Sequence, residues 1–406
     1  MIVRKAYKFR LKTNEQQAHK MWMFAGHSRF VWNYFWILNK RRLENKQKIM
    51  RYYEMCFWLT HMKQSDEYGF LQEAHSHILQ QKLKDLDRAY KDGFDKKQPR
   101  KYMPTRKKKH QDSSFRFPIE VKVDNRRVFL PKIGWVGFYK SCEIDGKIKN
   151  ATISHQAGHW YIAIQVELDI DIPVACNTNN ALGVDVGVKY FCVTYDGQTD
   201  TYFLPRNSFK SVEHKLAKEQ RKLKHKKRFS KNWSKQIRKI QKIHTQAANR
   251  RKNHIHQITT KISKNHAVVF VEGLKIKNNV RSAKGTIENP GKNVNAKSGL
   301  NRAILDQGWG MFRDILAYKV ARQGGQVIKV DHRYTSQKCS VCGHTHKENR
   351  VSQDRFVCQS CDFRLNADAN AARNILAAGR AVSACGSNLV EGRKQEPQGN
   401  RKKVPA

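Results

Sequence analysis

Apolar and basic side chains alternate from residue 3 to residue 11: Val3, Lys5, Tyr7, Phe9 and Leu11 share one face, and Arg4, Lys8 and Arg10 the other. A period of two predicts a half-buried strand. Thr13-Asn14-Glu15-Gln16 then reads as a capping box opening a helix. The pattern stays helical and aromatic-rich to about residue 95. Leu79, Leu83, Leu86 and Tyr90 form one apolar stripe, with Lys82, Lys84, Asp87 and Arg88 predicted to face away. Residues 96–110 are a proline-punctuated basic connector, a loop suited to phosphates.

From residue 115 to 168 the pattern changes to short β-type runs, the last two joined by a turn at Ala157-Gly158. They predict a small barrel or sheet that the N-terminal strand could join. After an Asn/Pro/Thr linker at 171–180, residues 182–193 read as a strand, a tight glycine bend and a second strand. Residues 210–252 are basic and helical, with Leu216, Leu223, Ile237, Ile240 and Ile243 as a sparse stripe, too charged for a core. A helix through 258–262 leads to an apolar strand at 267–272, a polar loop at 275–301, a helix at about 304–322 and a strand at 327–330. The segment from about 383 is Gly/Asn/Lys/Pro-rich and predicted to be disordered.

Composition narrows the partner. The chain of 406 residues carries 79 Lys+Arg against 34 Asp+Glu, a net +45. No fold requires such an excess, which repels itself until a polyanion neutralises it, and nucleic acid is the commonest polyanion. Membrane binding is disfavoured because the basic stretches lack a lipid-facing apolar stripe. No apolar run approaches the roughly 20 residues of a bilayer span, and the first residues lack the apolar core of a secretion signal, so a cytoplasmic protein is expected. Of nine cysteines, Cys56, Cys142, Cys176, Cys192 and Cys385 are scattered, as reduced thiols are.

The other four are paired. Cys339-x-x-Cys342 and Cys358-x-x-Cys361 are two thiolate pincers fifteen residues apart, the spacing of a ribbon closed around one structural zinc. His344 and His346 are expected to face solvent, because four thiolates complete the site.

Three carboxylates stand out. Alone, Asp185 is a structural hydrogen-bonding group at a bend, Glu272 a strand-terminal surface acid, and Asp368 an N-cap ahead of Ala369-Asn370-Ala371-Ala372. Together, at the ends of two buried strands and one helix, they match the way an RNase H-type sheet gathers acids around a pair of Mg²⁺ ions for phosphodiester hydrolysis. No serine-base elbow, phosphate-binding glycine loop or dinucleotide fingerprint competes.

The segments Lys5-Ala6-Tyr7-Lys8-Phe9-Arg10-Leu11, Arg29-Phe30-Val31-Trp32-Asn33, Leu79-Gln80, Gly183-Val184-Asp185-Val186-Gly187, Val271-Glu272, Ser336-Gln337-Lys338-Cys339-Ser340-Val341-Cys342-Gly343 and Asp368-Ala369-Asn370-Ala371-Ala372 resemble the transposon-encoded TnpB family across nearly the whole chain. The resemblance implies an RNA-guided DNA endonuclease related to type V CRISPR nucleases. Its guide RNA would come from the transposon end, and its target would be double-stranded DNA beside a short motif. The protein would act as a monomer on RNA, cutting at one RuvC-like site formed by Asp185, Glu272 and Asp368. The implied fold is multidomain α+β. A small β-barrel wedge domain (1–12 and 113–178) carries an inserted helical recognition lobe (13–112). An RNase H-like (RuvC) α/β domain (179–331) follows, with a basic helical insertion at 208–253 and a lid-like loop at 275–301. It is completed by the four-cysteine zinc ribbon (332–365), the last helix (366–382) and a disordered tail (383–406). Gln80 would lie near the motif duplex. Arg106, Lys107, Lys108, Lys224, Lys227, Arg228 and Arg251 are the candidate phosphate contacts, fitting an A-form heteroduplex held by its backbone. Many relatives place an Asp where this chain has Asn366. Two other readings are a guided repressor without cleavage and a guide-independent transposase or resolvase.

Overall fold

The computed structural model describes residues 2–95, 97, 102–108, 113–171, 180–331 and 333–384. These fall into two compact units, 1–171 with 226–242, and 172–225 with 243–406. Most of the 171–180 linker, the predicted tail beyond Ala384, Cys176 and Cys385 lie outside the described residues.

The first unit opens with strand β1 (Ile2–Lys12), whose burial alternates as its sequence does. Helix α1 (Glu15–Glu44) follows, and its capping box sits one residue later than expected: Asn14 accepts from the Gln17 N–H, and the Gln17 side chain accepts from the Asn14 N–H. Asn is also the stronger N-cap residue of the two. Helices α2 (Tyr52–Gln64) and α3 (Ser76–Phe94) complete the helical part. Leu79, Leu83, Leu86 and Tyr90 are fully buried, as the stripe predicts. Asp87 does not face away: it is buried between Arg51 (2.9 Å) and Lys91 (3.0 Å), two cations that offset its desolvation.

Strands β2 (Ser114–Phe117), β3 (Lys122–Asp124), β4 (Arg127–Leu130), β5 (Gly134–Phe138), β6 (Lys147–Gln156) and β7 (His159–Asp169) join β1 in a seven-stranded antiparallel sheet. Its order is β2-β6-β7-β1-β5-β4-β3, so the N-terminal strand sits in the middle. The hairpin β6–β7 turns at Ala157 and Gly158, both at positive φ (51° and 90°), the geometry that follows strand twist. One core joins the sheet to α1–α3, with Trp22 of α1 packed 5.0 Å from Trp160.

The second unit is built on β8 (Ala181–Val186), β9 (Cys192–Tyr195), β10 (Asp200–Phe203) and, beyond helices α4 (Glu213–Lys224) and α5 (Lys231–Asn265), β11 (Val268–Glu272). Next come α6 (Ile276–Asn279), α7 (Val294–Gln307), α8 (Trp309–Arg322) and β12 (Gln326–Val330). The expected loop at 275–301 is thus partly helical, and the expected helix at 304–322 is two helices. Gly308, at φ 74°, breaks it, because a left-handed residue ends the ladder of i→i−4 bonds. The ribbon hairpin β13 (Arg355–Val357) and β14 (Arg364–Asn366) leads into α9 (Ala367–Ala384), which runs slightly past the predicted end of the last helix.

The five-stranded sheet has the order β10-β9-β8-β11-β12, antiparallel through β8 and parallel across β8, β11 and β12. Helix α9 lies tight on it: a Cβ at Gly183 would sit 2.3 Å from the Ala372 carbonyl oxygen, and one at Gly379 2.1 Å from the Phe270 ring.

Candidate active site and cysteine cluster

Parallel register sets the first two acids side by side. Val268 to Val271 pair with Ala181 to Val184, so Glu272 and Asp185 are the next residues at the carboxyl ends of neighbouring strands. Such strands lie about 4.8 Å apart and in-register side chains share a face. Thr335 donates its hydroxyl to Glu272 Oε1 at 2.7 Å. Asp368 arrives from the first turn of α9. It is not the N-cap: Asn366 Oδ1 accepts from the N–H groups of Asp368 (3.0 Å) and Ala369 (3.3 Å), which leaves the Asp368 carboxylate unused by the helix. A Cβ on Gly187, just past β8, would stand 3.3 Å from Asp368 Oδ2.

The charges interact. Burial, then the negative charges of Glu272 and Asp368, push the Asp185 carboxyl well above its ordinary value, against Arg350 and the Val186 N–H. Burial likewise raises Asp368, with Arg350 and Lys189 opposing and Asp354 adding to the rise. Arg350 Nη2 lies 3.9 Å from Asp368 Oδ1. Protein cations only partly balance this all-oxygen set, and such a set fits a hard divalent ion. Among the described residues, the four cysteines and the group His75, His77 and Glu120 bring their ligand atoms within 4.8 Å of one another. The carboxylate trio is not among them, consistent with like charges repelling.

The four cysteines form one cluster, with Sγ atoms of Cys339 and Cys361 at 3.8 Å and of Cys342 and Cys358 at 3.5 Å. A zinc tetrahedron with bonds of about 2.3 Å has edges of ~3.8 Å, close to these two separations, so the cluster could hold such an ion. Burial raises the Cys358 thiol, but the N–H groups of Ser360 and Cys361 together with the thiols of Cys342 and Cys361 bring it to about 7, while the same sharing of protons pushes Cys361 up to about 12. His344 and His346 are exposed, as expected. Cys56, Cys142 and Cys192 are free thiols.

The sequence reading missed the residues that connect these parts. Asn370 is fully buried; its Oδ1 accepts from the Ser340 N–H at 3.0 Å and its Nδ2 donates to the Lys338 carbonyl at 2.8 Å. Asn374 donates to the carbonyls of Lys338 (2.7 Å) and Thr335 (2.9 Å). Two asparagines four residues apart on an apolar helix face were the available signal.

The candidate phosphate contacts differ in placement. Arg106, Lys108, Lys224, Lys227 and Arg228 are exposed. Lys107 is half-buried: its backbone pairs with the Asn33 side chain and its Nζ lies 4.6 Å from the Trp32 ring centre. Trp32 and Trp36 also donate to the carbonyls of Thr105 and Pro104, so the connector is strapped to α1 although it has no regular structure. Gln80 is half-buried in α3. Arg251 is committed internally, 2.9 Å from buried Asp306, which also accepts from the N–H groups of Phe209 and Lys210.

This architecture is a mixed α/β, multidomain one. It aligns with a solved structure described as "Cryo-EM structure of the Cas12f1-sgRNA-target DNA complex" at TM-score 0.51 and 14% identity, over 89% of this chain and 82% of that one. Residues 162–283 match the family described as "Probable transposase" (OrfB_IS605), 309–375 the "Cas12f1-like, TNB domain", and 1–48 a "Helix-turn-helix domain". The last label does not describe the geometry, since that stretch is strand β1 followed by one 30-residue helix. The chain is 48% identical over 396 residues, 97% of each protein, to the "Putative RNA-guided DNA endonuclease InsQ" of Escherichia coli (strain K12). A shorter stretch of 60 residues, 15% of this chain and 14% of the relative, is 50% identical to the "CRISPR-associated endodeoxyribonuclease Cas12f1" of Sulfoacidibacillus thermotolerans. The chain belongs to the TnpB/IS605 transposase family.

Proposed function

We propose that this protein is an RNA-guided DNA endonuclease that hydrolyses target phosphodiesters at Asp185, Glu272 and Asp368, using magnesium. The observation that carries the reading is the parallel register that sets Asp185 beside Glu272, with both Glu272 and Asp368 acting electrostatically on Asp185. The name of the 48% identical relative supports the guided activity. When bound, two Mg²⁺ ions would supply charge neutralisation and an activated water for in-line displacement at phosphorus. Asp185 and Glu272 present oxygens side by side, Thr335 fixes the Glu272 rotamer, and Asn366 caps α9 so that Asp368 stays available. Arg350 offers positive charge beside Asp368.

In this reading the sheet order β10-β9-β8-β11-β12 is the RNase H-like nuclease core, and the four cysteines hold one structural zinc in its ribbon. The seven-stranded sheet serves as the wedge barrel, α1–α3 as the recognition lobe with Gln80, and residues 275–301 as the lid. The guide comes from the transposon end, and the protein works as a cytoplasmic monomer on it. The exposed Arg106, Lys108, Lys224, Lys227 and Arg228 contact phosphates, whereas Arg251 is a structural partner of Asp306. With on the order of ten phosphate contacts, log affinity against log salt has a slope near about −9.

The test incubates purified protein with transposon-end RNA and a plasmid library carrying a target beside a randomised motif. RNA-dependent linear product in Mg²⁺, lost in Asp185→Ala, is expected. Bound but uncut plasmid indicates a guided repressor, and RNA-independent strand transfer a transposase.

A further inference from the structure

A second cluster of ligand-type side chains lies in the first unit and is made of residues other than the three acids and the four cysteines. His75 and His77 flank the first residue of α3, and Glu120 lies between β2 and β3. His75 Nε2 is 3.2 Å from Glu120 Oε2, and His77 Nδ1 is 4.0 Å from Glu120 Oε1. One ligand atom from each of the three falls within 4.8 Å of the others. The His75–Glu120 ion pair accounts for one contact of this group but leaves other ring nitrogens without a partner. His77 Nδ1 and His75 Nδ1 are both buried without a hydrogen-bond partner, and His75, though at the N-cap position, makes no cap bond. Glu120 holds its carboxylate there from a left-handed backbone (φ 67°), a conformation rare for a residue with a side chain.

We propose that His75, His77 and Glu120 form a transition-metal site, of zinc-like chemistry with two imidazoles, one carboxylate and an open position, distinct from the four-cysteine cluster. Ligand atoms around a tetrahedral zinc with bonds of about 2.0 Å stand roughly 3.3 Å apart, so the His77–Glu120 contact at 4.0 Å would close by about 0.7 Å and any separation in the group, 4.8 Å at most, by up to about 1.5 Å. The nitrogen donors select a borderline metal over Mg²⁺ or Ca²⁺. Lys63, bonded to Ser76 Oγ, and Lys132, bonded to the carbonyls of Gln72 and Ala74, place positive charge nearby that works against any bound cation, so the coordinate bonds to the two imidazoles would have to supply the affinity. The bound ion would clip the start of α3 to the connection before β3.

The experiment measures zinc per chain by elemental analysis in full-length protein purified without a histidine tag and dialysed against excess zinc, then buffer. Two equivalents are expected in the wild type and one in His75→Ala/His77→Ala. Glu120→Gln, which keeps size and polarity and guards against misfolding of the double variant, is expected to retain one. Either variant holding as much zinc as the wild type while cooperatively folded overturns the proposal, whatever the four-cysteine cluster binds.

Discussion

Thr335 donates its hydroxyl to Glu272 Oε1 at 2.7 Å, while its carbonyl accepts from Asn374 at 2.9 Å. One residue thus ties a strand-end acid to helix α9. Thr335→Val keeps the volume and removes the donor, at a loss of about 1 kcal/mol. Single-turnover cleavage is expected to slow by about fivefold to tenfold, with target binding unchanged; an unaltered rate would show that Glu272 needs no such restraint.

The work of Asn366 is capping: its Oδ1 accepts from the N–H groups of Asp368 and Ala369. Asn366→Ala is expected to destabilise the protein by about 1 kcal/mol in urea unfolding, and Asn366→Asp to stay within a few tenths of the wild type, since Asp caps equally well. Equal losses in both variants would contradict the capping role.

Gly379 faces the Phe270 ring where a methyl group has no space, 2.1 Å from the nearest ring atom. Gly379→Ala must push α9 off the sheet or the ring off its rotamer. A loss of about 1–3 kcal/mol is expected, with a fall in cleavage, because Asp368 rides on the same helix. Thermal unfolding unchanged to within a degree would mean that the helix yields freely.

Burial depresses the His27 imidazole, with Glu73 opposing, and its Nδ1 has no hydrogen-bond partner. The unfolded chain therefore binds a proton near pH 6.5 that the folded chain refuses, so stability rises with pH up to that value and falls on acidification. The unfolding free energy of the wild type relative to His27→Gln is expected to drop between pH 7.5 and 5.5, by up to about 1.4 kcal/mol per pH unit. A pH-independent difference would remove the neutral buried imidazole.

Much of the frame was legible because its signals are local. Alternation marked β1, the three- and four-residue spacing marked α3, and the two Cys-x-x-Cys pincers marked a cluster whose sulfurs do converge. What escaped was set by partners distant in sequence. Arg251 reads as one more cation on a basic helix until Asp306, 55 residues away, is seen to hold it. Asp87 reads as a surface acid until Arg51 arrives from another part of the chain. Asn370 and Asn374 looked like part of a short motif, but their work is to bond the ribbon, which no spacing within α9 reveals.

Because Asn370 and Asn374 grip the backbone at Lys338, beside the first cysteine, while Asp368 leaves the same helix in its first turn, the thiol-rich knuckle and the third acid are mechanically one piece. A ribbon transplanted from a cousin would need to bring its own helix along, or leave that carboxylate aimed by someone else's hinge.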